Sequence, residues 1–161
     1  MIGIGYDVHR FAAGRPLVLG GVVLDHPLGL DGHSDADVLS HAIADAVLGA
    51  LGQPDIGHWF PPGDPACAGI SSLEILAKAA KLAAEAGRVV VNVDATVVAE
   101  APKILPHREA MRAAIGAALG IPPERVNIKA TTNEQLGFLG RGEGIAALAV
   151  AQLEAPAAAT S

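Results

Sequence analysis

A chain of 161 residues with a net charge of -6 lacks the excess of Lys and Arg that a nucleic-acid surface needs. No apolar run reaches the roughly twenty residues that span a bilayer, and residues 1–4 lack the charged start of a signal peptide, so we expect a cytoplasmic protein. Cys67 is the only cysteine, which excludes an intrachain disulfide and a cysteine-rich zinc site. Any metal site must therefore use histidines and carboxylates.

The first predicted elements are a strand and a hairpin. Residues 1–6 alternate apolar side chains with glycine, as a short strand does, and the segment Asp7-Val8-His9-Arg10, with three polar residues, follows at its end. Two apolar triplets, 17–19 and 22–24, flank the pair Gly20-Gly21. That is the spacing of a hairpin with a two-residue turn.

A long helix and a long loop come next. Ser34 or Asp35 can cap a helix that runs to about residue 51, where Gly52 provides a stop. Residues 53–65 are rich in proline and glycine and predict a loop. Long ordered loops in compact domains are often functional.

The rest of the chain predicts alternating helices and strands. In chain order these are a helix from a capping box at 71–74 to about residue 87, a strand over 89–99, a helix over 106–119, a strand over 126–130 and a last strand over 147–153. The alanines of the last segment equally allow a helix. We expect one domain over residues 1–153, followed by an Ala/Pro-rich tail over 154–161.

These elements predict an α+β or α/β sandwich, in which a small sheet is covered by helices on one face. The other face of the sheet is expected to need a partner.

Asp7, His9 and His41 form the candidate metal site. Asp7 and His9 lie two residues apart in extended chain, so their side chains point to the same side. His41 lies on the predicted helix between Asp37 and Asp45, in a polar stripe that demands a polar or metal partner. Two imidazoles and one carboxylate would fill three corners of a zinc tetrahedron and leave the fourth open, as in catalytic sites. The alternative is that the Asp-x-His pattern occurs by chance and that His41 is a helical histidine held by ordinary hydrogen bonds.

We interpret the histidines His26, His58 and His107 as surface or loop residues.

Residues 131–134, Thr-Thr-Asn-Glu, follow a predicted strand and are expected to open a short helix. Their hydroxyl and N–H groups could face an anion while Glu134 holds a second cation, or they could simply cap the helix. The glycine-rich residues 140–144 match no phosphate-binding fingerprint, and a flexible turn is the simpler interpretation.

Taken together, several segments resemble the 2-C-methyl-D-erythritol 2,4-cyclodiphosphate synthase family over nearly the whole chain. The segments are Gly5-Tyr6-Asp7-Val8-His9, Gly20-Gly21-Val22, His33-Ser34-Asp35-Ala36-Asp37, Asp55-Ile56-Gly57, residues 99–106, residues 129–132 and Gly137-Phe138 through Gly140-Arg141-Gly142-Glu143-Gly144. The resemblance implies a ferredoxin-like α/β sandwich that forms a homotrimer, with active sites between neighbouring subunits.

The resemblance also implies a reaction and its cofactors. The 2-phosphate of 4-diphosphocytidyl-2-C-methyl-D-erythritol 2-phosphate would attack the β-phosphorus and release CMP, in the non-mevalonate pathway of isoprenoid biosynthesis. Asp7, His9 and His41 would bind zinc, and Glu134 would help to bind magnesium or manganese. His33 and Thr132 match positions that stabilise the transition state.

Substrate contacts follow from the same resemblance. Cytosine would lie against Ala99, Glu100, Ala101, Pro102, Lys103, Ile104 and Leu105; ribose or nearby hydroxyls against Asp55, Ile56 and Gly57; and the methylerythritol phosphate against His33, Ser34, Phe60, Pro61, Pro62, Gly63 and Asp64. Further expected contacts are Asp7, Val8, His9, Thr131, Thr132, Asn133, Glu134, Phe138 and Arg141. Arg141 and Glu143 could also bind an isoprenoid diphosphate near the trimer axis.

One segment departs from the family pattern. Many members read Phe-Pro-Asp-Thr-Asp where this chain has Phe60-Pro61-Pro62-Gly63-Asp64. Pro62 offers neither a carboxylate nor a backbone N–H, so the substrate contacts of this loop are expected to be fewer or to be taken over by Asp64.

Two other functions stay open from the residues alone. One is a zinc-dependent phosphohydrolase that activates water, and the other is a trimeric nucleotide-binding regulator without turnover.

Overall fold

The structure, a computed structural model, describes residues 1–61, 63–65 and 69–156. Its strands are β1 (Ile2–Ala12), β2 (Leu17–Leu19), β3 (Val22–Leu24), β4 (Gly29–Leu30), β5 (Val89–Val98), β6 (Val126–Thr131) and β7 (Gly144–Glu154). Its helices are α1 (Val38–Ala50), α2 (Ile56–Trp59), α3 (Ser72–Glu85), α4 (Arg108–Leu119) and α5 (Gly137–Gly140). None of the helices in these ranges is long and apolar enough to cross a bilayer.

The strands form one mixed sheet and a separate hairpin. The sheet has the order β4-β1-β7-β5-β6, in which β7 is antiparallel to both of its neighbours and β5 is parallel to β6. The β2–β3 hairpin around Gly20-Gly21 is confirmed. The β5-α4-β6 crossover is confirmed as well, and so is the α+β sandwich with a mixed sheet.

The ferredoxin-like part of the expectation is wrong. A ferredoxin-like chain runs β-α-β-β-α-β, whereas the main elements here run β1-α1-α3-β5-α4-β6-β7. The two final strands are consecutive because β7 inserts between β1 and β5.

Helices cover one face of the sheet. Helix α1 packs on β1 and β7, and α3 packs between α1 and α4. Two glycines of β1 allow this close contact, since a Cβ on Gly3 would overlap the carbonyl oxygen of Ala46 and one on Gly5 that of Ala42. The backbone of β1 therefore lies directly against α1.

The opposite face is open and apolar. Along β1 the side chains of Ile2, Ile4 and Tyr6 are 73%, 70% and 53% exposed, and Leu148 on β7 is 41% exposed. In the single chain this face has no covering layer among the described residues, as the sequence predicts.

Several predicted boundaries are corrected. Strand β1 runs to Ala12, beyond the predicted end at residue 6, because β7 pairs with it as far as Arg10. The predicted loop over 53–65 contains helix α2. Residues 131–134 do not open a helix, since Glu134 has φ 52° and the helix begins at Gly137. The last segment is a strand, which removes the helical alternative.

The cap of α1 is also different from the prediction. Asp37 is its N-cap and accepts a hydrogen bond from the N–H of Ser40. Glu154, which the sequence assigns to the tail, belongs to β7. Cys67 and residues 157–161 lie outside the described residues.

Candidate metal centre and substrate pockets

The side chains of Asp7, His9 and His41 converge on one point. Asp7 Oδ2 lies 2.9 Å from His9 Nε2 and 3.0 Å from His41 Nδ1. The two ring nitrogens are 3.3 Å apart. The structure thus brings together the three residues that the sequence predicts as zinc ligands.

Strand alternation and the β1–α1 contact create this cluster. Gly3, Gly5, Asp7 and His9 share the helix-covered face of β1, while Val8 points to the open face. Because Gly5 lets the backbone of α1 approach at Ala42, the neighbouring His41 comes within reach of Asp7.

The other two members of the polar stripe have different partners. Asp37 is fully buried and accepts hydrogen bonds from the N–H groups of Gly20, Gly21 and Ser40 at 2.9, 2.7 and 3.0 Å. Asp45 accepts from the N–H of Ile56 at 2.8 Å. These carboxylates fix the hairpin and the start of α2 to α1, so the stripe is mainly structural and only His41 faces the cluster.

The electrostatics of the cluster favour positive charge. Burial opposes ionisation of Asp7, but the close contacts of its carboxylate with the rings of His41 and His9 outweigh burial and lower the pKa of the carboxyl well below its usual range. Burial also acts to lower the pKa of His9, yet the contact with the Asp7 carboxylate raises it overall. The carboxylate therefore holds its negative charge and attracts a cation.

The donor atoms fit a divalent metal. One atom from each of Asp7, His9 and His41 lies within 4.8 Å of the others, a separation that a bound ion can bridge. His9 Nδ1 is hydrogen-bonded to the carbonyl oxygen of Asp31 and must donate to it, which directs the lone pair of Nε2 into the cluster. Two imidazole nitrogens and a carboxylate oxygen are a donor set that zinc accepts.

A first pocket of about 320 Å³ opens onto the triad. Its lining includes the predicted contacts His33, Ser34, Ile56, Gly57, Phe60, Pro61, Gly63 and Asp64. Asp55 is the N-cap of α2 beside this pocket, and Pro62 lies outside the described residues. The side chain of Val8 points away from the pocket, so a contact there would have to come from its backbone.

A second pocket of about 620 Å³ gathers most of the remaining predicted contacts. Its lining includes Ala99, Glu100, Pro102, Lys103, Ile104, Leu105, Thr131, Thr132 and Glu134. Glu100 Oε1 accepts hydrogen bonds from the N–H groups of Asn133 and Gln135 at 2.9 and 3.3 Å. Thr132 Oγ1 donates to Glu134 Oε1 at 3.1 Å. Glu100 therefore joins the two loops that line this pocket.

The chain keeps the two pockets apart. No described residue lines both of them. Strand β7 separates β1, which carries Asp7 and His9, from β5 and β6, which lead into the second pocket. The single chain consequently does not bring Thr132 and Glu134 into the pocket of the metal triad.

Predicted contacts that line neither pocket include Ala101, Asn133, Phe138 and Arg141, and Glu143 lines neither pocket as well. Arg141 Nε donates to Glu143 Oε1 at 2.6 Å, and both side chains are more than half exposed.

Two residues near the triad pocket are not predicted from the sequence. The Oγ of Ser72 lies 2.9 Å from His41 Nε2, and Arg15 donates to the carbonyl oxygens of Gly32 and Ser34. No local pattern signals these long-range contacts.

The fold is an α+β sandwich, and its site is a histidine–carboxylate triad that could hold a metal ion at the mouth of a pocket of small-molecule size. The chain belongs to the YgbB family, whose model matches residues 1–154.

Relatives agree over nearly the whole length. The chain is 65% identical to a 2-C-methyl-D-erythritol 2,4-cyclodiphosphate synthase of Akkermansia muciniphila, over 97% of this chain and 93% of that relative. It is 63% identical to a synthase of the same name from Symbiobacterium thermophilum, over 94% of this chain and 96% of that relative. A solved synthase structure described as a CDP-bound form matches with a TM-score of 0.87 and 34% identity, covering 96% of this chain and all of the other.

Proposed function

We propose that this chain converts 4-diphosphocytidyl-2-C-methyl-D-erythritol 2-phosphate to 2-C-methyl-D-erythritol 2,4-cyclodiphosphate and CMP, a step of the non-mevalonate pathway. Synthases of this name match nearly the full length of the chain, and that observation carries the proposal. Residues 1–153 would form the single catalytic domain. The substrate is a small molecule, which suits two pockets lined by loops at the edges of the sheet.

Asp7, His9 and His41 would hold zinc, and Glu134 would contribute to a magnesium or manganese site. When bound, zinc supplies a Lewis acid that withdraws charge from a phosphoryl oxygen. The geometry of the triad supports this assignment, because all three donor atoms already point to one position. Glu134 is an exposed carboxylate beside Thr132, which suits a hard cation with oxygen ligands.

The reaction is an intramolecular phosphoryl transfer. An oxygen of the 2-phosphate forms a bond to the β-phosphorus, the bond between that phosphorus and the bridging oxygen of CMP breaks, and CMP leaves with the electron pair. No protein nucleophile takes part. The two pockets bind the ends of the substrate and fold it so that the attacking and leaving oxygens are in line. His33 and Thr132 would donate hydrogen bonds to the phosphoryl oxygens as charge develops.

We further propose a homotrimer in which neighbouring subunits join the first pocket of one to the second pocket of the next. The separation of Thr132 and Glu134 from the triad within one chain supports this arrangement. The apolar face with Ile4, Tyr6 and Leu148 supports it as well, since such a patch on an isolated protein would be costly to leave in water.

Replacing Leu148 by Glu tests the trimer. A charge at the centre of the open face should dissociate the trimer and reduce turnover to background, while zinc remains bound to the monomer. Val23→Glu is the matched control, because Val23 is 66% exposed but lies on the separate β2–β3 hairpin. Light scattering and zinc analysis give the readouts. A Leu148→Glu monomer with normal turnover would contradict an active site shared between subunits.

Arg141 and Glu143 are proposed to bind an isoprenoid diphosphate near the trimer axis. Their exposed ion pair lies close in sequence to Phe138, which is 46% exposed, so charge and apolar surface lie together. Added geranyl diphosphate should raise the melting temperature of the wild type and not that of Arg141→Gln. An equal response from both proteins, or none, would rule out this site.

Oxygen labelling tests the reaction itself against hydrolysis. In water enriched with oxygen-18, internal attack should give cyclic diphosphate and CMP without label, because no water enters the products. A phosphohydrolase would place one labelled oxygen in a linear product. Mass spectrometry of the products separates the two, and saturable binding without products would indicate the regulator.

A further inference from the structure

A buried serine, Ser72, contacts the proposed metal ligand His41, and Asp35 contacts that serine. Ser72 is the first residue of α3 and is 0% exposed. Its Oγ lies 2.9 Å from Nε2 of His41, on the side of the ring that faces away from Asp7 and His9. The same Oγ donates to Asp35 Oδ1, while Asp35 Oδ2 accepts from the backbone N–H of Ser72 at 2.9 Å.

The direction of these hydrogen bonds can be assigned by counting protons. The Ser72 hydroxyl has one proton, and the carboxylate of Asp35 can only accept, so that proton lies between Ser72 and Asp35. Ser72 Oγ must then accept from His41, which requires a proton on Nε2. Ser34 Oγ lies 3.2 Å from Nε2 and accepts from the N–H of Ala36 at 3.1 Å, and its second lone pair can share the His41 N–H.

A proton on Nε2 determines the state of the other ring nitrogen, Nδ1. A neutral imidazole with its proton on Nε2 carries its lone pair on Nδ1. His41 Nδ1 is the atom that faces Asp7 Oδ2 at 3.0 Å and His9 Nε2 at 3.3 Å. If the proton were on Nδ1 instead, His41 could not donate a lone pair to a metal at this position.

We propose that Ser72 and Asp35 are positioning residues, which hold His41 in the Nε2–H tautomer and thereby prepare Nδ1 as a metal ligand before the metal arrives. The inference rests on the proposed role of His41 in zinc binding. Partners of this kind on ligating histidines typically contribute about 10- to 100-fold to metal affinity.

A purely structural role for Ser72 is the competing explanation, because its N–H also fixes the start of α3. Ser40 provides a matched control. It is likewise 0% exposed, donates its hydroxyl to a carboxylate, Asp37, at 2.7 Å, and precedes His41 on the same helix. Its hydroxyl does not bond to His41, so Ser40→Ala removes a comparable buried hydrogen bond and leaves the imidazole partner in place.

The test combines zinc affinity with the tautomer of His41. Zinc dissociation constants of the full chain come from competition with a chelator, and nitrogen-15 NMR of labelled histidines in the metal-free protein reports which ring nitrogen carries the proton. We expect the wild type to show the Nε2–H form. Ser72→Ala should bind zinc about 10- to 100-fold more weakly and show a mixture of tautomers, while Ser40→Ala keeps the wild-type affinity and tautomer.

Three results would overturn the inference: a wild-type His41 with its proton on Nδ1, a Ser72→Ala variant with unchanged zinc affinity, or an equal loss of affinity in Ser72→Ala and Ser40→Ala. A wild-type His41 with its proton on Nδ1 overturns the inference even if Ser72→Ala does not fold. A wild-type chain that binds no zinc at the triad would instead refute the proposed metal site, so the two failures are distinguishable.

Discussion

The two pockets of the chain are built in opposite ways. The triad pocket has its donor atoms on a strand and a helix that pack against each other, and His41 is only 6% exposed. The second pocket is lined mainly by loops at the ends of β5 and β6, and Thr132 and Glu134 are both exposed. One site is therefore preorganised by the core, whereas the other is open in the single chain.

This difference separates two tasks of catalysis. A metal site benefits from fixed donor atoms, because the ion binds more tightly when the ligands already converge. The nucleotide end of the proposed substrate would have to enter and leave the second pocket, which favours loops held by a few contacts. In the second pocket the carboxylate of Glu100 joins the two loops by accepting hydrogen bonds from the N–H groups of Asn133 and Gln135.

His41→Ala should have the largest effect, since it removes a ligand from the preorganised site. We expect the loss of bound zinc and a fall in turnover to background, because the remaining two donors cannot hold the ion. Elemental analysis and a CMP-release assay measure the two quantities. Normal turnover by a variant without zinc would contradict the assignment of the triad.

Thr132→Val should have a smaller effect and a different signature. The hydroxyl is lost from the exposed pocket, so zinc content should stay normal while kcat falls by about 100-fold, the usual cost of one transition-state donor. Thr132→Ser is the matched control, because it keeps the hydroxyl and should stay within a few-fold of the wild type. A rise in KM alone, with kcat unchanged, would argue against a role of the Thr132 hydroxyl in the transition state.

Glu100→Gln should have the smallest effect of the three. The amide oxygen can still accept, but the bonds to Asn133 and Gln135 lose their charge assistance, worth about 1 kcal/mol. We expect KM to rise about five-fold with kcat and zinc content little changed. Glu124→Gln, an exposed carboxylate outside both pockets, is the control. Equal KM values for the two variants would contradict the role of Glu100 in holding the loops of the second pocket.

Local patterns in the sequence predict much of this fold. The glycine pair at 20–21 specifies its hairpin, and the alternation of Asp7 and His9 places both on one face of β1. The length of β1 could not be read locally, because its second half is set by pairing with β7, more than a hundred residues away in the chain. Helix α2 could not be predicted locally, because it is only four residues long and the prolines and glycines around it are typical of a loop.

The site shows the same division. The triad could be predicted because Asp7 and His9 fall at the spacing that places two strand residues on one face, and His41 lies in a polar stripe at helical spacing. Ser72 was not, since its contact with His41 joins residues 31 positions apart and depends on how α3 packs against α1. The division of the other predicted contacts between two pockets also required the sheet order, which places β7 between β1 and β5.

The central claim is that the triad, loaded with zinc, is required for cyclisation of the substrate. Phosphorus NMR of the protein with 4-diphosphocytidyl-2-C-methyl-D-erythritol 2-phosphate and magnesium, before and after zinc is stripped, tests it directly. We predict cyclic diphosphate and CMP from the zinc-loaded protein, no product after stripping, and recovery when zinc is restored. Cyclisation that continues unchanged in the stripped protein, or release of inorganic phosphate without cyclisation, would contradict it.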